Sequence, residues 1–445
     1  MVEPYSDDPE PQSPVRTLSP WPGVDLSSTR PLRLGIIGCG RILPAHLHGL
    51  KALADAGAAH IVVTALSARQ REDAEMFRNR GEGPHPRPPV TEMAGDPLAA
   101  PHLYVSDFQP DPLPAIYTDY RDLLASDDVD AVLCLTSLDT HHSIALEAAT
   151  AGKHILMEKP LAITVKAARQ MVDLASSRGV VLATAENARY GERARAVAWL
   201  VDEGYLGQIQ LTMGGGIGAG DWSPNRIVAE TPWRHEKLRA GGGPVIDLGV
   251  HRFNLIRYWL GDIDSVSGLV RTLERERIHR DSAGEIAQRV RTTVEDTAFA
   301  TLHFGSGTVG QFVVSWAGHG DQFHVPGGWS IWGSNGSYHD GQIHLDDGTR
   351  RDAVEVYRHS APAAERDRHR PHGLSDPIAL EQNDFYQAIR RGGSTEVSGE
   401  EGLLDLAAAF AVIESSVEGR LVSVTEVEER QVERYQAEIN RQLGI

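Results

Sequence analysis

The chain has 445 residues, 41% hydrophobic and 23% charged, the proportions of a globular protein too long for one ordinary core. Its 43 Lys and Arg against 61 Asp and Glu leave a formal charge of −18, which argues against nucleic acid as a partner. No run approaches the ~18 apolar residues needed to span a bilayer, and the acidic start MVEPYSDDPE is no signal peptide. Cys39 and Cys134 form neither a metal cluster nor a disulfide framework. A cytoplasmic protein with no membrane partner and no metal is expected.

Residues 1–30 are rich in proline, serine and acid, have no periodicity, and are expected to be a disordered tail. A rhythm then begins with strand 32–38, helix 41–57, strand 60–67 and helix 69–78. Residues 79–115 break it with nine prolines and no clear pattern. That stretch is too long for an ordinary connection and reads as an insertion, either a binding-face loop or an interface arm. The rhythm resumes with helix 119–126, strand 131–136, helix 143–151, strand 154–158, helix 164–177 and strand 180–186. Strands alternating with helices at this spacing predict a parallel, doubly wound sheet over 31–185.

After a helix near 192–203 the texture changes. Segments 208–216, 266–272, 297–304, 308–316 and 329–333 alternate in character, which predicts an antiparallel sheet with one face buried. The charged stretch 350–373 reads as a solvated loop. Helices follow at 376–391 and 400–418, with one polar helix over 426–443. Residues 186–445 are thus a second, α+β domain, and the fold class is α/β overall.

The turn after the first strand, GCGRIL, places Gly38, Gly40, Arg41 and Ile42 just before a helix, where backbone N–H groups face a pyrophosphate. Leu43 stands at the third small position. The second strand ends ALSAR, without the acid that bonds a ribose 2′-hydroxyl in NAD sites. Ser67 with Arg69 and Arg71 favours a 2′-phosphate, hence NADP(H).

In KHILMEKPLA a core strand stops at Glu158, Lys159 and Pro160. A lysine at the carboxyl end of a parallel strand sits where open α/β sheets bind ligands, although such a lysine is often only solvated. It can hold a substrate hydroxyl and share its proton. In GGGPVIDLGVHRFNLIRYWLG, a helix from about 245 advancing about 100° per residue puts Asp247, His251, Asn254 and Tyr258 on one stripe. A carboxylate and an imidazole one turn apart can relay a proton, unless that face merely meets water.

Together, GIIGCGRILPAH, LTSLDTHHSIALEAATAGKHILMEKPLA, TPWRHEKLRAGGGPVIDLGVH, EDTAFATLHFGSG and VSGEEGLLDLAAAFAVIESS resemble the Gfo/Idh/MocA oxidoreductase family over about 32–424, omitting the insertion. The resemblance implies a Rossmann domain binding NAD(P). It also implies a second domain that binds substrate and whose sheet face builds homodimers or homotetramers. Lys159 would contact nicotinamide and substrate, with Asp247 and His251 as acid/base and substrate ligand. Thr136 and His141, rather than His142, would line the cofactor, with Glu158 and Asn187 beside it. Arg189, Tyr190, Trp233, Arg234 and Asn254 are candidate substrate contacts. The implied reaction interconverts a secondary alcohol and a ketone on a sugar, cyclitol or glycoside. The alternatives are a redox-neutral NAD-dependent glycosidase and a dinucleotide-sensing regulator.

Overall fold

The computed structural model describes residues 30–219, 222–280 and 283–445, so nearly all of the expected tail lies outside the described residues. Two sheets organise the chain. The first is six-stranded, ordered β3-β2-β1-β4-β5-β6. Its strands are β1 Leu32–Ile37, β2 Ile61–Ser67, β3 Ala115–Tyr117, β4 Ala131–Cys134, β5 His154–Glu158 and β6 Leu182–Ala185, and all pair in parallel. Helices on both faces explain why β4 and β6 are buried throughout rather than alternating. The sheet's carboxyl edge is where Thr136, Lys159 and Glu186 emerge.

The second sheet has nine strands. It contains β7 Ile209–Ile217, β8 Ile263–Arg271, β11 Thr297–Phe304, β12 Val309–Ser315, β13 Phe323–Gly333, β14 Gly336–His339, β15 Gln342–Leu345, β16 Arg350–Asp352 and β17 Val422–Ser423. A separate hairpin joins β9 Glu276–Arg280 to β10 Ile286–Arg291. Pairing in the large sheet is antiparallel except between β7 and β12. On β11 the side chains alternate. Ala298, Ala300 and Leu302 face the core, whereas Phe299 is 52% exposed. Against the buried face lies the helix Gly399–Glu418, apolar nearly all round because it is covered on every side.

Three expectations change. The stretch 350–373 is not a loop: it forms β16 and the helices Ala353–Ser360 and Ala363–His369. Its charges lie outward while Ala353, Val356 and Tyr357 turn inward at helical spacing, and Tyr357 OH bonds His369 Nδ1 at 2.8 Å. The single polar helix over 426–443 is instead two short ones, Val424–Glu428 and Ala437–Leu443. Between them Tyr435 N donates to the Glu414 carboxylate at 3.0 Å, which replaces helical pairing. The helix from about 245 is also two, Pro244–Asp247 and Gly249–Leu260. The carbonyl of Asp247 accepts from Lys159 Nζ, which helps fix the break.

Residues 79–115 are mostly irregular, with short 3₁₀ turns at Pro97–Ala99 and Val105–Asp107, and they end by supplying the edge strand β3. Among the described residues no helix is long and apolar enough to cross a membrane.

Candidate active site

A continuous cleft of about 2040 Å³ runs from the carboxyl edge of the parallel sheet to the nine-stranded half. A drug-sized ligand fills roughly 300–1,000 Å³. The cleft therefore has room for a dinucleotide and a second molecule together.

At one end lies the turn after β1. Gly38 adopts a φ of +104°, and a Cβ there would press into the Leu135 carbonyl, so only glycine fits. At Gly40 the corresponding position is open cleft, with nothing within 4 Å. The helix Leu43–Ala56 begins after Ile42 with no side-chain cap; Pro44 has no N–H and Ala45 N donates to the Ile42 carbonyl, so the N–H groups left at this end are those of the turn leading into the helix. These residues fit a pyrophosphate. Ser67, Arg69, Arg41 and Ile42 line the same end. Arg69 has no carboxylate partner among the described residues, whereas Arg71 pairs with Glu75 at 2.8 Å. The insertion reaches this wall. Arg87 bonds Asp73 at 2.6 Å, and Arg41 donates to the Pro88 carbonyl at 3.2 Å while pairing across the cleft with Glu230.

Further along, Lys159 projects from the end of β5. Its Nζ donates to the Asp247 carbonyl at 2.8 Å and lies 3.5 Å from Asp247 Oδ1. Arg234 Nε is 3.5 Å from the same Oδ1, and its guanidinium lies 4.5 Å above the Trp233 ring. Burial pushes the Asp247 carboxyl up, but Lys159 and Arg234 outweigh it and hold the group down at about 2. Asp247 is therefore an anion at any working pH.

His251 Nδ1 meets Glu186 Oε1 at 2.6 Å. Because a carboxylate accepts, Nδ1 carries the hydrogen and Nε2 is left as an acceptor facing the cleft. Glu158 lines the cleft with its carboxylate 3.5 Å from His46 Nε2. Burial raises Glu158, yet His46 and Lys159 bring it below its ordinary value. Glu381 is pushed well above its ordinary value by burial and by Glu158 and Glu186.

Thr136, His141 and Asn187 lie on the cleft wall. His141 is buried between the carbonyls of Pro160 (3.1 Å) and Thr136 (3.3 Å). His142 instead turns to Gln170 at 2.7 Å. Three expected substrate contacts lie away from the cleft. Arg189, Tyr190 and Asn254 are buried in an ionic network behind it. Arg189 donates to Asn254 Oδ1 (3.1 Å) and Glu401 (2.9 Å), Asn254 to Asp405 (2.7 Å), and Tyr190 to Asp384 (2.7 Å). Beyond the break at Leu248, the stripe through Asp247 and His251 turns inward by Asn254. Glu186, His46 and Glu381 escaped the sequence reading. Glu186 carries the same signal as Lys159, a charge at the carboxyl end of a parallel strand, and was legible on that ground.

Residues 32–186 match the family model described as oxidoreductase family, NAD-binding Rossmann fold, and residues 194–339 match the GFO/IDH/MocA C-terminal domain. The chain belongs to the GFO/IDH/MocA oxidoreductase family. It is similar to the levoglucosan dehydrogenase of Pseudarthrobacter phenanthrenivorans, 27% identical over 339 residues covering 70% of this chain and 84% of that one. It is also similar to the myo-inositol 2-dehydrogenase of Thermotoga maritima, 25% identical over 404 residues, 89% of this chain and 99% of that one. A solved levoglucosan dehydrogenase in complex with NADH and levoglucosan superposes with a TM-score of 0.67 at 23% identity, covering 89% of this chain and all of that one. This GFO/IDH/MocA chain is thus an enzyme of the dehydrogenase/reductase class acting on CH–OH groups, with a Rossmann half of the NAD-binding type.

Proposed function

We propose that this enzyme interconverts a secondary alcohol and a ketone on a sugar, cyclitol or glycoside. The observation that carries the reading is the convergence of Lys159, from the end of β5, with Asp247 and His251, from the other half, on one cleft. Lys159 Nζ and His251 Nε2 hold the reacting hydroxyl, and the imidazole takes its proton. Asp247, fixed as an anion, anchors Lys159 and does not itself carry the proton. Glu186 holds the His251 ring in the tautomer that accepts. The dinucleotide supplies the hydride acceptor or donor; positioning beside it is the protein's task.

The test is a screen of sugars, inositols and glycosides for coenzyme reduction, run separately with NAD and NADP. Reduced coenzyme should appear in step with substrate consumed. Bond cleavage in the substrate without net reduction would overturn the reading in favour of a redox-neutral glycosidase.

NADP is the preferred coenzyme in this reading, supported by Ser67 where an acid would bind a ribose and by Arg69 beside it, which has no carboxylate partner among the described residues. Arg69→Ala is expected to lower kcat/KM for NADP about tenfold while changing NAD little, as befits one charge-assisted contact. Equal losses with both coenzymes would rule this out.

The open face of the nine-stranded sheet supports a homodimer or homotetramer. Leu211, Met213, Leu269 and Phe299 are each 46–54% exposed there, with Phe299 directly opposite Leu269 and Leu211 opposite Val309. Phe299→Glu should lower the mass measured by light scattering; an unchanged mass would show that the face is not the interface.

A further inference from the structure

Most arginines lining the cleft are already neutralised: Arg41, Arg87, Arg121, Arg234 and Arg239 each pair with a carboxylate. Arg69 is at the nucleotide end. Two others, Arg193 and Arg252, line the wall on the nine-stranded side and have no hydrogen-bonding or carboxylate partner among the described residues.

Arg252 follows His251 in the helix Gly249–Leu260, and its guanidinium lies directly on the backbone of Gly328, where a Cβ would collide with Nη1. Burial lowers its pKa, opposed only by Glu186, whose Oε1 is already committed to His251 at 2.6 Å and the Ala188 N–H at 3.3 Å. Arg193 stands in the first turn of the helix Glu192–Asp202. The point where a Gly327 Cβ would sit is 3.3 Å from both Arg193 Nη1 and Tyr338 OH. That tyrosine hydroxyl is buried, with no side-chain partner among the described residues. Gly327 and Gly328 lie in the stretch between His324 and Trp329 where the β13 ladder is interrupted, so the bulge presents them to the cleft.

The half-buried Arg252 has for its opposing charge only Glu186, already committed to His251, and its planar fork of donors, like that of the exposed Arg193, matches a carboxylate or phosphate. We propose that Arg193 and Arg252 form an oxyanion subsite, so that the polyol handled in this cleft carries a carboxylate or a phosphate ester. The inference rests on the dehydrogenase reading of the same cleft. The coenzyme's own phosphates fit the turn at Gly38–Ile42, at the nucleotide end of the cleft.

The experiment uses the full chain saturated with oxidised coenzyme. Titrations with malonate, inorganic phosphate, D-glucuronate, D-glucose 6-phosphate and D-glucose are followed by thermal shift and calorimetry, and coenzyme reduction is measured on the three sugars. Carboxylate or phosphate probes should bind about tenfold to a hundredfold more tightly than glucose. That margin should shrink in R252M and in R193M, with R252K keeping part of it because charge survives but the fork does not. Preference for the carboxylates or for the phosphates identifies the group. R193M alters an exposed side chain and so remains informative should R252M fail to fold. No oxyanion exceeding glucose, or a margin that survives in R193M and R252M alike, would overturn the subsite. Oxyanion-selective binding without reduction of the coenzyme by any polyol would uphold the subsite and overturn the dehydrogenase reading instead.

Discussion

Replacing Lys159 with methionine is expected to lower kcat by about 10²- to 10⁴-fold while the coenzyme still binds. The range is that of removing one positioned proton-sharing group. In the wild type the ammonium bridges two jobs: it donates to the Asp247 carbonyl at 2.8 Å, and it keeps the Asp247 carboxylate ionised from 3.5 Å away. Methionine fills the same volume and removes both. In the proposed mechanism Lys159 and His251 hold one hydroxyl, so K159M/H251N should cost about as much as the worse single variant, not the product of the two. Steady-state kinetics, with coenzyme affinity measured separately by fluorescence, checks both statements. Turnover of K159M within a few-fold of wild type would remove the lysine from the mechanism.

The second large effect is on stability. Arg257 holds Asp405 through a 2.5 Å contact, with Asn254 donating to the other carboxylate oxygen at 2.7 Å, all inside the network behind the cleft. Arg257→Met should destabilise the fold by about 3–5 kcal/mol, the usual cost of stranding one member of a buried ion pair. The pH dependence has a definite sign. Burial raises Asp405 from its ordinary 3.8 to about 6 despite Arg257 and Arg189. A folded-state pKa above the unfolded one means that ionising the group costs stability. That cost is absent below 3.8, grows through the interval, and is complete above about 6. Removing the cation lifts the upper end of the window, so the deficit of R257M should be larger at pH 8 than at pH 5. R257M/D405N should recover part of it. Urea unfolding at the two pH values provides the measurement, and a small deficit that ignores pH would show that the network carries little of the fold's stability.

Local periodicity made the parallel sheet legible, because βαβ units are short, regular and buried on both faces. The turn at Gly38–Ile42 and the charged end of β5 could be placed because their neighbours in sequence are their neighbours in space. Arg189, Tyr190 and Asn254 could not. Whether an arginine faces a cleft or a buried carboxylate depends on Glu401 and Asp405, some 150–210 residues further along the chain. The same reason hides Arg193 and Arg252, which have no carboxylate partner among the described residues. The stretch 350–373 reads as a loop because its many charges outnumber the few inward apolar positions. The helix from 245 reads as continuous because nothing in its pattern reveals that Lys159 approaches the carbonyl of Asp247.

The helix Gly399–Glu418 binds the molecule like the spine of a book. At its start Thr184 N donates to the Val397 carbonyl at 3.0 Å, and Ser398 bridges to Ala183, stitching it to β6. Near its far end Ser415 and Ser416 accept from the backbone of Gly268 and Val270, stitching it to β8. Both covers are thus sewn to one helix at the back. The cleft side is tied differently, by side chains: Arg41 pairs with Glu230, Arg239 with Asp139, and Lys159 with Asp247.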